Sequence, residues 1–215
     1  MKSITKQKPF DEVKQYLEKF DRVFVIGCGT CTTMMKTGGV EEVAQMCGKI
    51  KEIGKLVTGS VVIPTACDEM TAVVIKEHGQ AIANASCLLI LSCALGAQKV
   101  ASYIEKPIIP GVDTLFIGLE TNPGSFKEAC AQCGQCIIGE TAGICPVTAC
   151  HKGLVNGPCG GTNNGKCEVD KTKDCAWTLI YQRLEKLGQL ELMKKYHPPK
   201  DYQVAPRPRT IQVSV

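Results

Sequence analysis

The chain has 215 residues, 44% of them hydrophobic, with 25 Lys and Arg against 21 Asp and Glu and a formal net charge of +4. That length suits one domain or one domain with a smaller appendage, and basic residues scattered without a long stripe speak against a nucleic-acid partner. No apolar run is long enough to span a bilayer and the N-terminal twenty residues contain no apolar signal core, so the chain reads as soluble and cytoplasmic, where its fourteen cysteines point to metal ligation rather than disulfides.

Along residues 7–20, Phe10, Val13, Leu17 and Phe20 recur at spacings of three and four, the signature of one helix face, with Asp11 and Glu12 suited to its first turn. A short β-branched and aromatic run over 22–26 follows and ends in Gly27-Cys28-Gly29-Thr30-Cys31, a buried strand entering a glycine turn. Helical periodicity returns over 39–55, and 57–63 is a second strand leading to Cys67-Asp68. A helix is predicted over 69–85, a third strand over 88–91 that ends in Ser92-Cys93, a short helix over 96–105, and further extended chain over 108–117.

Strands alternating with helices predict an α/β domain over 1–119, with a small parallel sheet of the flavodoxin or Rossmann kind covered on both faces. Sites in such sheets lie beyond the carboxyl ends of the strands. Cys28 and Cys31 follow the first of these strands, Cys67 the second and Cys93 the third, so four thiols reach one edge from three places distant in sequence. A nucleotide loop is the competing reading of the glycine turn. It is the weaker one: Thr32 stands where the third glycine of the dinucleotide fingerprint belongs, and Glu41, Glu42 and Glu52 fall within a helix, not at a strand end.

After residue 120 glycine, cysteine, asparagine and threonine dominate. Eight cysteines, Cys130, Cys133, Cys136, Cys145, Cys150, Cys159, Cys167 and Cys175, fall among glycines with few large apolar residues. We read 120–195 as an irregular cysteine-rich domain shaped by what its sulfurs bind. It is closed by a helix over 176–195 that carries Trp177, Ile180, Tyr181, Leu184, Leu187 and Leu190 and breaks near Gly188. Residues 196–215, with His197-Pro198-Pro199 and Pro206-Arg207-Pro208-Arg209, form either a loose tail or an extended arm for a partner.

The most specific local signal is Cys130-x2-Cys133-x2-Cys136, because two-residue spacings let successive thiolates point into one small volume. Cys145-Pro146 comes later than in the ferredoxin run. Four thiolates bind zinc or a [4Fe–4S] cluster. Structural zinc usually pairs two C-x2-C knuckles, whereas wide glycine-rich gaps suit a bulkier core. Eight ligands would serve two cubanes, and the order of the cysteines does not say which belong together. Cys47 and Cys87 read as small buried apolar residues. His151, next to Cys150, suits a supporting donor, His78 a solvent-facing helix position, and His197 the tail. No catalytic triad or paired carboxylates stand out, so no substrate site is expected on this chain alone.

Taken together, Cys133-Gly134-Gln135-Cys136, Gly143-Ile144-Cys145-Pro146, Asn156-Gly157-Pro158-Cys159-Gly160-Gly161, Gly165-Lys166-Cys167-Glu168 and Cys175-Ala176-Trp177 resemble the methylenetetrahydrofolate reductase C-terminal domain family. The whole chain, including the motifs around Cys28, Cys67 and Cys93, is similar to the family's stand-alone form, the small iron–sulfur subunit of bacterial two-subunit methylenetetrahydrofolate reductases. The resemblance implies a heterodimeric partnership with a TIM-barrel subunit that holds FMN and folate. Electrons from ferredoxin or another redox subunit would pass to that FMN, which reduces methylene-tetrahydrofolate to methyl-tetrahydrofolate in the methyl branch of acetogenic carbon fixation. It also implies that the matching cysteines are cluster ligands; their number suits two [4Fe–4S] clusters in the C-terminal segment and one more in the N-terminal domain, with zinc as the alternative.

Overall fold

The computed structural model describes residues 2–199, 201–204, 208, 210 and 211. It divides into two compact units, Met1–Phe126 and Lys127–Val215.

The first unit is built on a strand that alternates its apolar residues between two faces. This strand, β2 (Arg22–Cys28), lies between β3 (Leu56–Ile63) and β4 (Cys87–Leu91), and β5 (Ile108–Pro110) adds beyond β4. All are parallel, in the order β3-β2-β4-β5. Successive strand residues point to opposite faces. Val23, Val25, Leu89 and Leu91 therefore pack with Val13 and Leu17 of α1 (Phe10–Leu17) and with Val43, Met46 and Ile50 of α3 (Val40–Glu52). On the other face Phe24, Ile26, Leu88 and Ile90 pack against Val74 of α4 (Met70–Glu77), Ile82 of α5 (Gly79–Asn84) and Val100 of α6 (Ala94–Ala101). This is the doubly covered α/β sheet that the alternation predicted. Cys47 packs against the first of these clusters and Cys87 lies inside it; burial pushes the Cys87 thiol up to about 11.

Three features differ from the sequence reading. The helix expected over 69–85 is two helices, because the chain turns at His78. His78 is not a solvent-side residue: its ring tilts against buried Phe24, with centroids 5.9 Å apart. A second sheet was not foreseen. In it β1 (Ser3–Gln7) runs antiparallel to β6 (Val112–Asn122), and β7 (Ser125–Glu128) follows on the far side of β6.

In the second unit regular structure is sparse. A 3-10 turn covers Ile138–Glu140, α7 is the single turn Pro146–Ala149, α8 spans Ala176–Lys186, and further 3-10 turns cover Leu190–Lys194, after Gly188, whose φ is +65°, and Tyr202–Val204. Trp177, Ile180 and Leu184 of α8 form its buried cluster, joined by Ala142, Ile144, Cys150, Cys175, Leu190, Leu192 and Met193 at the margin. No helix among the described residues is long and apolar enough to cross a membrane.

Leu89 is fully buried in the face that holds α1 and α3. Leu89→Ala should cost about 2–5 kcal/mol. The loss should appear as lower hydrogen-exchange protection of β2 and β4 amides, and unchanged protection there would contradict the packing described.

Candidate metal centres

Among the described residues the fourteen cysteines form no disulfide. In the first unit, the turn after β2 is fixed by backbone. The Cys28 amide donates to the Gly38 carbonyl (2.9 Å) and the Gly29 amide to that of Ile63 (2.8 Å), while the Thr32 and Thr33 hydroxyls donate to the Cys28 carbonyl (3.1 and 2.7 Å). A Cβ on Gly27 would run into the Gly38 carbonyl and the Val43 side chain, and one on Gly38 into the Leu91 carbonyl. These glycines let main chain pack on main chain. The space a pyrophosphate would need beside Gly27 is thus filled by the protein itself.

Cys28 and Cys93 are buried, Cys31 is half-buried and Cys67 is exposed. The Cys28 sulfur accepts from the Ala66 amide (3.5 Å) and lies 3.2 Å from the Thr30 hydroxyl. Desolvation raises the Cys67 thiol above its ordinary range, and Cys93, Cys28 and Cys31 raise it further because like charges close together oppose ionisation. The four thiols therefore share one electrostatic neighbourhood.

In the second unit, the Thr148 hydroxyl on α7 donates to the Ala129 carbonyl (3.3 Å). That bond ties Cys130, the next residue, to the short helix that Cys145 caps. The loop between them turns at Gln132 and Gly134, both with positive φ, and the Gln132 amide donates to the Cys130 sulfur at 3.3 Å. Cys133 and Cys136 lie on this same loop.

The remaining four cysteines meet elsewhere. Cys150, Cys159, Cys167 and Cys175 line one cavity of about 20 Å³, together with Thr162 and Trp177. The Trp177 indole N–H donates to the Leu154 carbonyl (3.0 Å), the Cys175 amide to that of Gly165 (2.7 Å) and the Cys167 amide to that of Lys173 (3.0 Å), so the wall is set by main-chain acceptors. Cys175 caps α8. Burial pushes its thiol up, but the Thr178 amide and hydroxyl, the Thr162 hydroxyl and the Trp177 amide outweigh that and leave it below the ordinary thiol range. His151 Nδ1 stands 3.5 Å from the Cys167 sulfur, and its Nε2 is 3.8 Å from Asp170. Thr162 and Thr178 have no motif that would have marked them in the sequence; only the fold brings their hydroxyls to Cys175.

As the side chains stand, no three His, Cys, Asp or Glu among the described residues are gathered around a single ion position. The donor sets are nonetheless all sulfur, which suits zinc or an iron–sulfur cluster and not magnesium or calcium. A cavity of about 20 Å³ has room for little more than one water. A cubane would need this cavity to be wider.

Beyond these sulfurs the chain folds back on its own unit. Asn156 grips the His197 main chain twice, donating to its carbonyl and accepting from its amide, each at 2.7 Å. Lys195 donates to Glu140 at 2.5 Å, and His197 Nε2 is 3.1 Å from the other Glu140 oxygen. Lys195 holds the Glu140 carboxyl below its usual range, so this tie is present at neutral pH and is lost as pH falls through that depressed value. Of Pro206-Arg207-Pro208-Arg209 only Pro208 belongs to the described residues.

Residues 109–203 match the family model described as methylene-tetrahydrofolate reductase C terminal. The match covers just under half of the chain and includes all the motifs from Cys133 to Trp177 on which the resemblance was read. No curated protein and no solved structure matches the chain.

Asn156→Ala removes both hydrogen bonds to the His197 main chain and should speed tryptic cleavage after Lys194 and Lys195 several-fold. Unchanged cleavage would show that Asn156 does not hold this segment.

Proposed function

We propose that this chain is the iron–sulfur electron-transfer subunit of a methylenetetrahydrofolate reductase, passing electrons to the FMN of a TIM-barrel partner that reduces methylene-tetrahydrofolate. The association with the reductase is supported by the match over residues 109–203. The observation that carries the electron-transfer reading is the cavity lined by Cys150, Cys159, Cys167 and Cys175. Cys130, next to Ala129, and Cys145 are both tied to the α7 turn, and Cys133 and Cys136 lie on the loop that follows Cys130. By count, each set of four supports the reading of one cubane apiece. When bound, such clusters take up and release one electron at a time with little rearrangement, at potentials set by hydrogen bonds to sulfur and by burial. The chain's own part is to hold the sulfurs and donate to them. The Thr178, Thr162 and Trp177 groups stabilise the Cys175 thiolate, His151 leans on Cys167, and the Gln132 amide reaches Cys130. Ferredoxin or another redox subunit is the electron source in this reading. No acid–base or nucleophilic constellation on the chain is assigned a chemical step.

The small cavity favours a second reading for its four cysteines, a single structural zinc ion with no redox role. Metal analysis of anaerobically purified full-length protein separates the two. Clusters require about eight iron atoms with matching sulfide from this unit, and a broad visible absorption that dithionite bleaches. Cys136→Ala and Cys159→Ala should each remove about four iron atoms and loosen the second unit, while Cys47→Ala should leave iron unchanged. A colourless protein containing only zinc would overturn the electron-transfer reading.

A further inference from the structure

After the 3-10 turn Leu190–Lys194 the chain leaves the buried cluster of the second unit. Lys195, Tyr196, Pro198 and Pro199 are exposed, and none of residues 195–199 packs with Trp177, Ile180 and Leu184. What holds this arm is polar, and it comes from three cysteine-bearing loops. Asn156, between Cys150 and Cys159, bonds to the His197 main chain twice, each time at 2.7 Å. Glu140, between Cys136 and Cys145, takes Lys195 at 2.5 Å. Its other carboxylate oxygen lies 3.1 Å from His197 Nε2, yet it is buried with no hydrogen-bond partner among the described residues, so the hold is incomplete there. Gln135, between Cys133 and Cys136, accepts from the Asp201 amide at 3.2 Å. A cavity of about 80 Å³, with room for several waters, separates arm and loops; Gln135, Ile137, Val155, His197 and Pro198 line it.

A segment kept in place by a few hydrogen bonds over a gap, with no apolar cluster of its own, opens locally well before its unit unfolds. Pro198 and Pro199 fix φ and lack amides, and His197 before them is confined to extended backbone, so the arm moves as one stiff piece. It departs at Lys195, already extended at ψ 122° where the 3-10 turn ends. Gln135 connects the arm to a sulfur. Its side chain accepts from Asp201, and its main-chain carbonyl accepts from the Cys133 thiol at 3.7 Å. We infer that residues 195–199 are a releasable strap, which when closed pins the loop at Gln135 and limits access to the half-buried Cys133 sulfur, and when open frees both. The reactivity of Cys133 is then set by where the C-terminal arm lies. The strap requires no bound metal and stands without the proposed function.

Hydrogen exchange and thiol labelling of the full-length protein as isolated test it. If the strap is one piece, cutting either tie releases the other. Gln135→Ala should speed exchange of the His197 amide, which bonds to Asn156, and Asn156→Ala should speed exchange of the Asp201 amide, which bonds to Gln135, each about fivefold. Lys195→Ala alters only an exposed arm residue and should act on both amides in the same direction by about twofold. Gln135→Glu keeps the acceptor and should restore the wild-type rates. N-ethylmaleimide should label Cys133 faster in Gln135→Ala and in Asn156→Ala, relative to exposed Cys67 of the first unit. Release of only the amide whose own partner was removed, or no gain in Cys133 labelling in Asn156→Ala, would overturn the strap. So would equal acceleration of the α8 amides, which would mark a loosened unit and not a moving arm.

Discussion

The constraint on which the second unit depends is its shortage of buried apolar surface, which the proposed ligation of its sulfurs would make good. Among the described residues, the buried hydrophobic side chains that belong to it are Ala176, Trp177, Ile180 and Leu184, all from one helix, with Pro146 of α7 beside them. The rest of the unit is loop, and every ordered loop residue costs conformational entropy that a few side chains cannot offset. Backbone hydrogen bonds do not close the gap, since they exchange for bonds to water and contribute little net. Bonds to a metal or cluster differ, because the preformed site is missing from the unfolded chain and binding free energy becomes folding free energy. The positive-φ residues from Gln132 to Gly165 make sense on this view. They turn the main chain tightly between the cysteines and give up the regular structure that would otherwise satisfy it.

The first unit uses the opposite logic. Its sheet is buried on both faces by two clusters of ordinary aliphatic side chains, so the strand ends are fixed before any metal arrives. The four cysteines ride on those ends. On the proposed reading, one chain joins a scaffold that positions its thiols to a segment that its thiols must position, and the same substitution, cysteine to alanine, would remove a ligand from a standing frame in the first and part of the frame in the second.

How much of this was legible in the sequence follows the same division. The strands of the parallel sheet announce themselves because residues buried on both faces read as unbroken runs, Val23 to Ile26 and Leu88 to Leu91. The placement of Cys28, Cys67 and Cys93 beyond those strands followed at once. The strand Ser3–Gln7 was hidden, since Ser, Thr, Lys and Gln carry no apolar pattern and its partner β6 lies more than a hundred residues away. The break at His78 was missed although Gly79 follows it, and the contact of the His78 ring with Phe24 is one that local periodicity does not encode. Neither could the grip of Asn156 on His197 be read, as an exposed asparagine carries no signal of its partner.

The grouping of the second-unit cysteines shows where sequence spacing stops being informative. Cys145 and Cys150 are five residues apart, yet they fall on opposite sides of the α7 turn: Cys145 caps it toward the Cys130 loop, and Cys150 leaves it toward the cavity lined by Cys159, Cys167 and Cys175. A single helical turn thus separates two cysteines that are close in sequence. Pro146 begins that turn at the position where a missing amide costs nothing, so the proline after Cys145 does more than end a ferredoxin-like run. It sets Cys145 and Cys150 at the two ends of one turn, and on the proposed reading the assignment of ligands to centres follows that turn rather than the intervals between cysteines.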